Sequence, residues 1–531
     1  MKEYYAQRRA EEEKRRFEEQ MLADCEIVNG VLIKYKGNSR RVIIPDSVVE
    51  IGEEAFRKNL YENNLVESIE IPDTVTQIDE RAFYVCKNLK RINIPDSVTY
   101  IGEGAFYGCE SLENIKIPDG VTEICESLFF GCKNLDSVKI SDSVTQIDKY
   151  AFAGCTGLKR LEIPADVTQI AITAFNGCES LESIVVDENN KCYCDQDGVL
   201  YSKDLRRIVK MTEGCRLTSY RIPDEVIVIG RSAFHGCANL ESVEVTSGVL
   251  QIGESAFHGC KNIKSVVIPV GVTQVDERAF YGCKGLISVE IPDSVKQIGR
   301  DAFVCCESLK NITVDENNLY YCDKDGVLFS KDTRRIIKMP EGRNVTTYVI
   351  PDGVTQIGED AFACSQSVKR IEIPDSVTQI ERDAFNSCKS LDGIEIPNGV
   401  TIIGENTFAR CESLNEIKIP EGVKQIGKSA FINCKSLAYI KIPESVTQIG
   451  EFAFSDCKSL KHIKIPAGVT QIERHTFYGC EKLVNIEIPD GTAYIGEEAF
   501  RFCESLSNIV IPEKCEVAED AFSENCEIIR K

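Results

Sequence analysis

The sequence predicts a repeat solenoid: short coils stacked side by side, each adding brief parallel strands to a shared core. Three observations carry this. Taking the Pro of each Ile-Pro step as an anchor, with Ser141, Asp187, Thr246 and Asp315 standing where Pro is missing, 20 anchors run from Pro45 to Pro512, and 16 of their 19 intervals are 23 residues. A fixed period in this range marks units too small to bury an apolar face alone, which must stack on their neighbours. Eighteen of the 23 Phe occupy one place in the unit, from Phe56 to Phe522, so stacking aligns them into an aromatic ladder. Sixteen of the 25 Cys occupy another, from Cys86 to Cys526.

The elements follow in order. Residues 1–24 are charged, with Glu11/Arg15 and Glu12/Arg16 at favourable i,i+4 spacing. They predict a helix over 2–22 that covers or extends the first coil. Residues 25–531 form the solenoid. In the unit from Pro95 to Ile117, Ile115-Lys-Ile117 alternates inward and outward as a short strand does. Pro closes the strand because it lacks an N–H for the ladder. Val98-x-x-Ile101 reads as a second extended step, and Ala105-Phe-Tyr-Gly-Cys109 as a turn or short helical piece. Three intervals break the period: one of 27 residues from Pro45 to Pro72, and the two 36-residue segments 187–222 and 315–350. Both segments carry Asp-Glu-Asn-Asn, then Asp-Gly-Val-Leu, Ser-Lys-Asp and Arg-Arg-Ile, which reads as a hairpin insertion. Residues 27–44 carry a version of the same pattern.

Composition excludes several function classes. A net charge of −22 offers no basic face to nucleic acid. No run of 18 apolar residues exists for membrane insertion. Four His, with no phosphate loop, nucleophile elbow or His-Glu-x-x-His helix, leave nothing catalytic. No cofactor or metal is expected. His235 and His258 lie one coil apart and lack a third ligand; Cys192, Cys194 and Cys215 have no matching set in the second insertion. The Cys ladder reads as small buried residues, whose parallel side chains do not point at one another. Stacked Asp residues after the anchor prolines read as solvated turns.

Leu112, Ile115 and Ile117 match the first half of the common leucine-rich pattern, without its Asn. With the 23-residue period and the Ala-Phe-x-Gly-Cys step, the units resemble the leucine-rich repeats of the BspA-like family, of treponemal type, from about residue 26 to 531. The resemblance implies a leucine-rich-repeat-like solenoid that binds protein, adhesin-like, at a cell surface or secreted. The residues themselves suggest a cytoplasmic chain, because the first 20 contain no apolar signal core and thiols are many.

Binding on such a scaffold falls to the outward residues of its strands. Lys418, Lys441 and Lys464 stand in adjacent strands, where like charges repel. Glu416, Tyr439 and His462 precede them by two residues, on the same face. These six residues are the expected partner-binding patch for a protein of unknown identity, with Glu395 and Glu487 flanking the lysine row. The alternative is a structural or self-assembling protein, an oligomer joined through its end coils.

Overall fold

The computed structural model describes residues 19–58 and 64–531. They divide into two compact units, the first comprising residues up to 240 with 251–260, the second 241–250 with 261–531.

In the first unit each regular 23-residue coil has three sides. One side holds the strand before the anchor proline: Arg41–Ile43, Ser68–Glu70 and Arg91–Asn93 lie parallel, with Val42, Ile69 and Ile92 in register. The second side holds a two-residue strand, as in Glu50–Ile51, Gln77–Ile78 and Tyr100–Ile101, also parallel. Between them the anchor proline's carbonyl accepts the amide of the Val three residues on, as Pro95 does from Val98 at 3.1 Å. The third side is the Ala-Phe turn. It is no strand, yet alternate amides bond coil to coil: Arg81 to Glu103, Phe83 to Ala105 and Val85 to Tyr107, at 2.7–2.9 Å. Arg81 and Val85 reach those carbonyls with φ of 54° and 57°. The next coil places Gly104 and Gly108 there, where the left-handed conformation is free of Cβ strain.

The interior repeats the period. Phe83, Phe106 and Phe129 are fully buried, with centroids 5.2 and 5.6 Å apart and planes 13° and 12° from parallel. The ladder cysteines do more than fill space. Cys109 donates its thiol to the Phe83 carbonyl at 3.3 Å, and Cys132 to Phe106 at 3.2 Å. Each sulfur is aimed at the coil before it and not at the next sulfur.

The second unit repeats this architecture. Thr347–Val349, Arg370–Glu372, Gly393–Glu395 and Glu416–Lys418 form one parallel ladder. Phe362 through Phe522 stack at 5.1–5.5 Å. Charges outside the core also follow the register: Glu412 sits between Lys389 at 3.8 Å and Lys435 at 2.9 Å.

Both insertions contain the expected hairpin, with one more strand than the sequence suggested. Tyr193–Gln196, Val199–Ser202 and Arg207–Lys210 run antiparallel in succession. Asp197 and Gly198 join the first two with φ of 50° and 79°, the two-residue turn that matches strand twist. Arg207–Lys210 then rejoins the coils by pairing parallel with Val228–Ile229. Asn190 explains the shared Asn-Asn. Its buried amide donates to the Pro164 and Val167 carbonyls, and its oxygen accepts from the Cys192 and Tyr193 amides, all at 2.8–2.9 Å. At the N-terminus only the first hairpin of the pattern recurs, Cys25–Val28 with Val31–Tyr35. Arg41–Ile43 belongs instead to the proline-side ladder. Most of the helix expected over 2–22 lies outside the described residues. Residues 19–24 are helical, and Met21 is buried in the same core cluster as Cys25, Leu32 and Tyr35.

Candidate functional site

In the second unit, Ile417, Ile440 and Ile463 point into the core, which turns the residues on either side of each outward. Glu416 and Lys418, Tyr439 and Lys441, and His462 and Lys464 are therefore all exposed on one face. Tyr439 bridges in parallel to His462, and Glu416 lies opposite Gly393. The structure thus brings all six expected residues together. Tyr439 is 64% exposed and has charged or imidazole neighbours in every adjoining outward place.

The lysine row is not left to repel itself. Lys418 pairs with Glu395, Lys441 Nζ lies 3.0 Å from Glu421 Oε1, and Lys464 Nζ lies 2.7 Å from Glu444 Oε1. Donating hydrogen bonds to Glu421 and Glu444 raises the pKa of Lys441 and Lys464. Glu395 was expected as an offset and acts as one. Glu487 lies in register with Lys464, but the ammonium turns to Glu444. Glu421 and Glu444 follow anchor prolines, a place read from sequence as a solvated turn. In these coils it neutralises the next strand.

One feature of the face escaped the sequence reading. Gly393 stands where neighbouring strands begin with Arg370 and Glu416. Without a side chain there, the face opens into a recess of about 410 Å³ lined by Arg370, Glu395, Pro397, Glu416 and Lys418. The signal was a lone Gly at a strand's first outward position.

Elsewhere, the His235 and His258 rings stack at 4.8 Å, and His235 Nδ1 lies 3.5 Å from Glu213 Oε1. Among the described residues no group of three or more His, Cys, Asp or Glu is arranged to hold a metal. No described helix is long and apolar enough to cross a membrane.

Parallel ladders on two sides, a bonded turn on the third and a period of 23 define a leucine-rich-repeat solenoid. The chain belongs to the BspA type leucine rich repeat family, whose six-copy repeat region matches residues 32–92, 57–182, 210–324, 341–450 and 424–531. Among solved structures it is similar to a leucine rich cell surface protein from Faecalibacterium prausnitzii A2-165. That protein is 31% identical over 54% of this chain and 90% of its own, with a TM-score of 0.43. A leucine-rich repeat protein from Bacteroides ovatus is 23% identical, covering 90% of this chain and 94% of its own, with a TM-score of 0.31. The pneumococcal vaccine antigen PcpA is 16% identical over 95% of each chain, with a TM-score of 0.30. No curated protein matches.

Proposed function

We propose that this chain is a non-enzymatic, adhesin-like scaffold that binds a protein partner through the outer strand face around Tyr439. The exposure of Tyr439 carries the reading. A tyrosine bridged to the neighbouring strand at His462 offers a large contact area at little entropic cost, the usual chemistry of an interface anchor. The Gly393 recess beside it receives a partner side chain, and the ion-paired lysines form a polar rim that can exchange partners. Family membership and the Faecalibacterium cell surface protein support presentation outside the cell. The thiol content does not oppose this. Burial drives Cys86, Cys237 and Cys388 up to about 12, so the ladder needs no reducing compartment to stay unreacted.

The test is affinity capture from an extracellular protein mixture with the intact chain, in parallel with a Tyr439→Ala, Lys418→Ser, Lys441→Ser, Lys464→Ser variant. The variant should keep the parent's thermal unfolding and lose the captured protein. Equal capture by both would place recognition elsewhere. A second reading, self-assembly, rests on Glu527–Arg530, a strand paired with Asn508–Ile511 that leaves Ile528 and Ile529 about 40% exposed. A dilution-dependent elution volume would favour it.

A further inference from the structure

Each insertion removes one Ala-Phe turn from the stack and replaces it with two side chains. In the first, Glu213 accepts the Gly177 amide at 3.0 Å, and Lys210 reaches the Ser232 and His235 carbonyls at 3.5 Å. In the second, Glu341 accepts the Cys305 amide at 2.8 Å, and Lys338 donates to the Asp360 and Ala363 carbonyls at 3.3 and 3.2 Å. The places facing each other across the replaced turn are Gly177 and Gly236 in the first insertion. In the second they are Cys305 and Cys364, with Sγ atoms 3.5 Å apart.

Other coils also carry side chains at this place, Val85 and Ser387 among them, so a non-glycine residue is ordinary there. What is particular is that both coils made neighbours by the second insertion carry a thiol. Both sulfurs differ from the ladder. Neither cysteine is fully buried, and Cys364 borders a polar recess of about 370 Å³ with Glu307, Lys310, Glu341 and Gln366. Cys305 Sγ lies 3.5 Å from the Tyr281 hydroxyl and points at another sulfur, where ladder thiols point at carbonyls.

We propose that Cys305 and Cys364 form a thiol–disulfide exchange site for low-molecular-weight peptide disulfides such as oxidised glutathione. The Cys305 thiolate attacks one sulfur of the disulfide and releases the first glutathione thiolate, which takes up the proton Cys305 gave up. Cys364 then attacks Cys305 Sγ as it loses its proton, and the departing second glutathione thiolate takes that proton up. Two protein thiols and one disulfide become one protein disulfide and two glutathione thiols. The hydrogen bond from Cys364 holds the Cys305 thiol down at about 7 against burial, with help from Tyr281. Cys364 is driven up by that same bond and by burial, and the bond's contribution ends once Cys305 is held in the mixed disulfide.

The experiment treats the reduced full chain with oxidised glutathione at pH 7.5 and maps peptides without reduction. The parent should yield a Cys305–Cys364 cross-link, two glutathione thiols per chain and less than a tenth of an equivalent of bound glutathione. Cys364→Ser should stop at one stable adduct on Cys305. Cys305→Ser should form neither product. Iodoacetamide should label Cys305 at least tenfold faster than Cys194, whose thiol burial raises. The proposal is overturned if Cys305 bridges to Cys306, if Cys364→Ser accumulates no adduct, or if Cys305 and Cys194 label at equal rates.

Discussion

Phe408→Ala tests whether stability is passed from coil to coil through the aromatic ladder. Phe408 is fully buried between Phe385 and Phe431, with centroids 5.2 and 5.4 Å away and planes 2° and 9° from parallel. Truncating a buried Phe costs about 3–5 kcal/mol. That sum includes two lost stacking contacts of roughly 0.5–1.5 kcal/mol each. Phe522 is only half-buried and stacks on Phe500 alone, at 5.1 Å, so Phe522→Ala should cost about half as much. A solenoid couples only nearest neighbours, so the loss should be local. Native-state hydrogen exchange reads it directly. The Phe385 and Phe408 amides, bonded to Thr407 and Ala430 at 3.0 and 2.8 Å, should exchange about 10²–10³-fold faster, since each 1.4 kcal/mol is tenfold. Protection should recover within a few coils on either side. Uniform loss across the second unit, or equal effects of Phe408→Ala and Phe522→Ala, would refute nearest-neighbour coupling.

Two further outcomes follow from the second insertion. Ser365 takes the ladder-cysteine place, is 2% exposed and leaves its hydroxyl unpartnered, whereas Cys237 holds that place after the first insertion. Ser365→Cys should therefore stabilise the chain by about 1–2 kcal/mol in urea unfolding, and a less stable variant would refute this. Burial and the neighbouring Asp301 push the Asp360 carboxyl up to about 9. A carboxyl raised on folding contributes stability in full below its unfolded pKa, about 4, and loses it as pH climbs toward the folded value. Thermal midpoints should thus fall between pH 4 and 9 for the parent and fall less for Asp360→Asn. Parallel pH profiles would show that Asp360 ionises freely.

The coil was legible in the sequence because its chemistry repeats. Each ladder Phe, ladder Cys and anchor Pro recurs at one place, and the period alone aligns them. The outward patch was legible for the same reason, since Lys418 and its neighbours alternate with buried Ile. Partners that do not share a register were not legible. Lys441 pairs with Glu421, 20 residues back, because the turn after Pro420 brings that carboxylate to the next strand. Period-23 reasoning looks only to Lys418 and Lys464. The replaced turn was hidden for a related reason. Lys338 and Glu341 do the work of peptide groups, and nothing in Lys-Met-Pro-Glu announces that a side chain has taken over a backbone bond.

The ladder thiols also bear on whether the chain survives its own unfolding. While folded, a ladder sulfur inside the stack is buried and engaged with a carbonyl, as Cys434 is with Phe408 at 3.1 Å. Opening the stack returns every such thiol to an ordinary pKa of about 8.5, where exchange is fast. In oxidising surroundings an opened chain would then mispair among many near-equivalent sulfurs spaced 23 residues apart. Refolding would compete with scrambling, and scrambling has far more routes. The protein's persistence is therefore set by how rarely its coils part, a rate and not an equilibrium.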